Sequence, residues 1–282
     1  MTAPTAPTAL TAPAVPGTGG RPVADTLTML RRNLLRAVRY PGLTSFTVGI
    51  PIALLLLFVF VFGGAFGAGV APGVAPGADG RAAYLDYITP AILLFAVVGA
   101  AQSVAITAAM VATSGIMPRF KTMAISPGSV LGGPVLGTTV QGVVGAALVL
   151  GIAVALGYRP DAGAAGWLAL AGLVALTTAA FAWLCVGMGL SARSVETASN
   201  TPMILTALPF LGSGFVPVAT MPAGVRWFAE YQPFTPIIES ARGLLAGATV
   251  PASTALQAVG WCVAVGVLGY AWSRALYRRE RR

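Results

Sequence analysis

Six times between Phe46 and Ser273 the sequence returns to an apolar run of 19 to 27 residues, bounded by short polar or Gly- and Pro-rich connections. At about 1.5 Å of rise per residue, about 20 helical residues cover the roughly 30 Å hydrocarbon core of a bilayer. The runs at 46–66, 88–112, 130–156, 166–190, 200–218 and 255–273 all have about that length. Hydrocarbon offers no partner to a free N–H or C=O, so such runs become helices. The expected fold is an all-α integral membrane protein with six transmembrane helices. Composition agrees: 56% of residues are hydrophobic and 9% are charged, against roughly 25% charged in soluble domains.

Six crossings bring both termini to one side. With the termini cytoplasmic, thirteen of the 17 basic residues fall inside, and Arg81, Arg159, Arg226 and Arg242 stay outside. That bias is the positive-inside pattern. It also accounts for the net charge of +9 without nucleic acid, because the basic residues are dispersed between apolar segments and gathered at the chain ends. Lys121 is the single lysine, and the Arg-, Ala- and Gly-rich bias fits a GC-rich bacterial genome, hence a bacterial plasma membrane.

Residues 1–24 precede any apolar periodicity, and the Thr-Ala-Pro repeats of 1–20 offer too little bulk to offset the entropy of ordering, so this tail is expected to be disordered. From 25 to 40 a helical period sets in. Leu27, Leu30, Leu34 and Val38 share one face, and Arg32, Arg36 and Arg39 another. An amphipathic helix lying in the membrane interface is expected there, its arginines on lipid head groups. After it come the transmembrane domain, to residue 278, and a basic tail at 279–282. The Gly- and Pro-rich stretch 67–86 reads as an irregular outer connection. Glycines of the third run, Gly142 and Gly145 among them, allow close helix packing or a flexible pathway lining.

The stretch 211–245 approaches a membrane and fails to cross it. Pro217, Pro222, Pro233 and Pro236 interrupt it, as do Arg226, Glu230, Glu239 and Arg242. Prolines inside a helix remove bonds and clash with the preceding turn, and charges are costly in hydrocarbon. A re-entrant hairpin of two short helices on the extracellular side is expected, at 222–231 and 236–246. Thr235 would cap the second and Gly247 would stop it. Arg226 with Glu230 and Glu239 with Arg242 have helical pairing distances. Phe215, Trp227 and Phe228 would face lipid or substrate.

No His is present, Cys185 and Cys262 lie in apolar runs, and no GxxxxGK[ST] or GxSxG occurs. Metal, disulfide, nucleotide-splitting and hydrolase chemistry therefore have no residues to stand on. Gln102 and Gln141 are isolated polar groups within the spans, available to orient a ligand or to bond a neighbouring helix. The inner loop TSGIMPRFKTMAISPG at 113–128 carries Arg119 and Lys121 beside Phe120, Met123 and Ile125, between Pro118 and Pro127. A short amphipathic helix there suits either lipid or a groove on a partner protein.

These pieces together resemble the permease subunits of type-2 ABC exporters, most closely drug-efflux permeases of the daunorubicin-resistance type. The residues that carry the resemblance are LRRNLLRAVRYP at 30–41 with PIALLLLFVFVFG at 51–63, the 115–128 loop, and the series SGFVP, MP, WF, QP and SARGLL within 213–245. The resemblance implies a half-transporter: two permeases, here a homodimer, with two copies of a separate ATP-binding subunit. ATP and Mg would sit in that subunit, and no cofactor in this chain. It implies a coupling helix at Pro118, Arg119, Phe120, Lys121, Thr122 and Met123, seated on the ATPase. The family's loop often has an acid and a longer basic run, here reduced to Arg119 and Lys121. It further implies an outer gate or pathway at Phe215, Pro217, Trp227, Phe228, Glu230, Glu239 and Arg242, passing amphipathic drugs or hydrophobic natural products. A permease for cell-envelope lipids or lipid-linked glycans shares the fold and stays open, as does an unpowered accessory or scaffold membrane protein.

Overall fold

The computed structural model describes residues 41–64, 78–113 and 127–279. The tail at 1–24, the interfacial helix with Arg32, Arg36 and Arg39, the coupling loop from Pro118 to Met123 and the basic tail beyond 279 lie outside the described residues. Among those described, all regular structure is helical. The helices are α1 (Pro41–Leu57, continued by a π turn at Phe58–Phe62), α2 (Ala78–Thr113), α3 (Pro127–Ala155), α4 (Ala164–Ser191), α5 (Val195–Asn200), α6 (Ile204–Ala207), α7 (Ala223–Tyr231), α8 (Phe234–Leu245) and α9 (Ala252–Arg279). Four of them, α2, α3, α4 and α9, are long and apolar enough to cross a membrane, and Val48–Phe62 forms a shorter apolar helix.

Helix α2 is the centre of the bundle. Ile88, Ile92, Val97, Val98, Ala101 and Ala105 are buried along it, between α1, α3, α4 and α5. In α4, Leu173, Thr177, Phe181 and Cys185 recur every four residues on the buried side. In α3 the same spacing runs the other way, and Leu136, Val140, Val144 and Leu148 form an exposed apolar stripe, the surface a lipid-facing helix presents. Hydroxyls inside the spans bond back to their own helix, as in Thr89 to the Leu85 carbonyl and Thr178 to that of Val174, both at 2.7 Å. Such back-bonding satisfies a polar side chain where no water is available.

Gly142 takes the packing role. A Cβ there would stand 2.5 Å from the Thr178 hydroxyl, so the absence of a side chain is what lets α3 lie against α4.

Two expected elements differ. The outer connection at 67–86 is not irregular to its end, because α2 starts at Ala78. After Pro76 and Gly77 the sequence has no proline before Pro90, so the helix can begin well ahead of the apolar run. The fifth run, expected as one span at 200–218, is a broken one. Right-handed backbone extends from Val195 through α5, a 3-10 turn at Thr201–Met203, α6 and another at Leu208–Leu211. It ends at Gly212, which is extended at φ −103°, ψ −171°. Pro202 and Pro209 cause the breaks, since neither can donate to the preceding turn. The run is therefore about 26 Å long, at 1.5 Å per residue, and displaced toward the N-terminus. Gln102 of α2 pins it, bonding the Pro202 carbonyl at 3.0 Å and the Thr206 hydroxyl at 2.5 Å.

Candidate functional site: the hairpin between the broken run and α9

After Gly212 the chain turns back at one end of the bundle. The same end carries the start of α2 and the 157–163 connection: the Asp161 N–H donates to the Leu245 carbonyl at 3.0 Å. Helix α7 begins at Ala223 with Pro222 as its N-cap, and α8 begins at Phe234 behind Pro233. The second helix thus starts two residues before its expected position. Pro236 is tolerated there because the first four N–H groups of a helix have no intrahelical partner. Thr235 consequently does not cap the helix. Its hydroxyl donates to the Ala229 carbonyl at 2.5 Å and accepts from the Ser213 N–H at 3.4 Å, closing the corner between α7 and α8. Gly247 stops α8 with φ +63°, a left-handed conformation that suits glycine.

The two arms of the hairpin are opposites in burial. In α7 only Ala229 is buried, and Trp227 and Tyr231 are 66% and 64% exposed with their rings 5.6 Å apart. Arg226 and Glu230 pair at 2.8 Å on its open surface, an arrangement worth little to stability. Helix α8 instead inserts into the bundle. Phe234, Ile237, Ile238 and Leu245 are at most 2% exposed, with Ile237 and Ala241 facing Leu93 and Val97 of α2 and Leu173 and Thr177 of α4.

Phe215 belongs to the interior. It is 6% exposed and packs in an aromatic cluster with Phe58, Phe95 and Phe210, at centroid distances of 4.8, 5.7 and 4.6 Å. It therefore faces neither lipid nor an open pathway within this chain, unlike Trp227 and Phe228, which are exposed. Pro217 is partly exposed at the start of the turn that leads to α7.

Arg242 organises the hairpin's inner side. Its Nη1 donates to Glu239, and its Nη2 to the carbonyls of Tyr87 at 3.2 Å and Ser213 at 3.1 Å. The guanidinium also lies 4.1 Å from the centroid of the Tyr87 ring. Planar stacking with forked donation suits a guanidinium better than it would a lysine. So the Glu239–Arg242 spacing read from the sequence makes more than a surface pair, while Arg226–Glu230 makes only that. Sequence reasoning missed Tyr87 and Ser213. Ser213 contributes through its backbone carbonyl, which leaves no signature in a side-chain pattern, and Tyr87 stands 155 residues from Arg242.

Chemically the arrangement fixes positions rather than making bonds. Among the described residues no three His, Cys, Asp or Glu side chains gather to hold a metal. In the 157–163 connection nearby, Tyr158 is buried, and burial, with the negative charges of Asp86 and Asp161, pushes its phenol up to about 12.

A family model described as ABC-2 type transporter matches residues 24–246. The chain is also 27% identical over 226 residues to a daunorubicin resistance ABC transporter permease protein of Streptomyces coeruleorubidus, covering 80% of this chain and 76% of that one. The family match takes in α1 to α8 and closes at the end of α8, so the hairpin lies within it and α9 beyond it.

Proposed function

Because the chain belongs to the ABC-2 type transporter family, we propose that it exports amphipathic drugs or hydrophobic natural products across a bacterial plasma membrane. It is the membrane permease of an ABC transporter, and ATP hydrolysis belongs to a separate ATP-binding subunit. In this reading two copies of the permease pair with two ATP-binding subunits, which hold ATP and Mg. Each permease crosses the bilayer six times with both termini inside. The broken Val195–Leu211 run serves as the fifth crossing, and α7 and α8 form a re-entrant hairpin at the outer end.

The likeness to a drug-resistance permease over most of both chains is the observation that carries the substrate class. The geometry supports the pathway. A helix as deeply inserted as α8, beside one as exposed as α7, gives a lid that is anchored on one arm and free on the other. Arg242, paired with Glu239 on the same helix, holds the anchored arm, and Pro217, Trp227, Phe228 and Glu230 line the free side, with Phe215 supporting them from within. In the same reading Pro118 to Met123 would dock on the ATPase.

Co-expression with an ATP-binding subunit encoded beside it tests the reading. Cells should accumulate less daunorubicin when both subunits are present, and Phe120→Asp with Met123→Asp should abolish efflux together with ATPase co-purification. Unaltered drug accumulation combined with an envelope defect on deletion would overturn the drug substrate in favour of an envelope lipid. Unchanged assembly in the double variant would overturn the coupling helix.

A further inference from the structure

Tyr87 touches the hairpin in three ways at once. Its ring lies under the Arg242 guanidinium, its carbonyl accepts from Arg242 Nη2, and its hydroxyl donates to the Ser213 carbonyl at 2.7 Å. Ser213 thereby accepts from two elements, α2 through Tyr87 and α8 through Arg242, at the place where the broken run ends. We propose that Tyr87 is the positioning residue of the outer gate: it sets the rotamer of Arg242 and so clasps α8 and the end of the broken run to α2. This rests on the reading of the hairpin as an outer gate.

The physical case follows from what an arginine loses on binding. Its long side chain has many rotamers, and holding one costs entropy unless a flat partner restricts it. The Tyr87 ring supplies that partner, and its hydroxyl occupies the second lone pair of the carbonyl that Arg242 uses. Lifting α8 breaks the Tyr87 and Ser213 contacts to Arg242 together, whereas the bond from Arg242 to Glu239 stays within α8 and moves with it. Interactions that meet at one carbonyl and one cation share a single ordering cost, so once one is made the others need little further loss of freedom, and the clasp closes and opens as a unit. Such a unit, rather than any one bond, is what a gate requires to have two states.

The test uses the full chain with its ATP-binding subunit, Cys185 and Cys262 replaced by Ala, and one reporter cysteine labelled by an impermeant maleimide on intact cells. Gly224→Cys is the sidedness reporter, since a Cβ there meets open space. Ser240→Cys reports opening, being 3% exposed with a hydroxyl that makes no hydrogen bond. Tyr87→Leu should raise the labelling rate at 240 about tenfold and Tyr87→Phe several-fold, the scale of one lost hydrogen bond in an opening equilibrium. Both should lower the maximal efflux rate while the half-saturating drug concentration stays the same. Arg242→Lys should raise labelling too, and adding it to Tyr87→Leu should add nothing further.

Unchanged labelling at 240 in both Tyr87 variants would overturn the clasp, and additive effects with Arg242→Lys would overturn the route through Arg242. Tyr87→Phe preserves shape, so it decides the matter by itself if Tyr87→Leu does not assemble. If Gly224→Cys in the otherwise unaltered chain reacts only from the cytoplasmic side, the gate reading itself fails, independently of Tyr87.

Discussion

Phe234, the first residue of α8, stacks on Phe181 of α4 with ring centroids 5.1 Å apart and planes at 23°. The contact joins the inserted arm of the hairpin to the most deeply packed side of α4, and Phe234 is completely buried. In a bilayer, lipid tails are as apolar as the side chain they would replace, so fit rather than aversion to water holds the arm in place. Removing the ring leaves a void lined by groups that lose their partners.

Phe234→Ala is accordingly expected to cost about 3 kcal/mol or more, and Phe234→Leu clearly less. Thermal unfolding of the detergent-purified permease measures both. Equal losses in the two variants would mean that the ring's packing is not what secures α8.

A second prediction comes from the contact of Gly142 with Thr178. Gly142→Ala places a methyl group against the Thr178 side chain and should destabilise by about 1–3 kcal/mol, the range of overpacked interiors. Gly151→Ala, with nothing within 4 Å of the new Cβ, should be neutral or gain up to about 1 kcal/mol from helix propensity. Combining Gly142→Ala with Thr178→Ala should recover most of the loss, as coupled neighbours do.

These two contacts show where the sequence is informative. Apolar run length located α2, α3, α4 and α9 to within a few residues, except that α2 begins ten residues earlier and α9 ends six residues later than expected, because the bilayer sets a length that composition must match. Prolines and charges located the hairpin for the same reason. Run length misread the 200–218 segment, which carries no charge yet is broken by Pro202 and Pro209. Hydropathy does not register the backbone bonds a proline deletes. The contacts of Arg242 were beyond reach for another reason: they join a side chain to two carbonyls across 29 and 155 residues, and every residue carries a carbonyl. Phe215 shows the limit of residue type, since an aromatic near an outer loop serves a lipid-facing surface or a core equally well until its neighbours are known.

Gln102 supplies a third prediction. Its amide bridges to the broken run at the Pro202 carbonyl and the Thr206 hydroxyl, so Gln102→Leu should leave that run less firmly held, by about 1 kcal/mol for two bonds of membrane-interior strength. Hydrogen–deuterium exchange should accelerate in peptides covering Val195–Leu211 and remain unchanged in α9. Uniform acceleration along the chain would instead indicate general loss of packing.

Tyr158 gives a prediction in pH. Its phenol is raised from an ordinary 10.0 to about 12, chiefly because burial disfavours the phenolate, with Asp86 and Asp161 adding to the effect and the positive charge of Arg242 opposing it. The folded protein thus retains this proton at a pH where the unfolded chain has released it. Stability from the group is complete below about pH 10 and falls as pH rises toward 12, since there the unfolded state binds fewer protons. Thermal unfolding should therefore hold steady from neutrality to about pH 9 and then decline more steeply in the wild type than in Tyr158→Phe, which has no proton to lose. Identical alkaline declines in the two proteins would show that Tyr158 ionises in the folded state as readily as in the unfolded one.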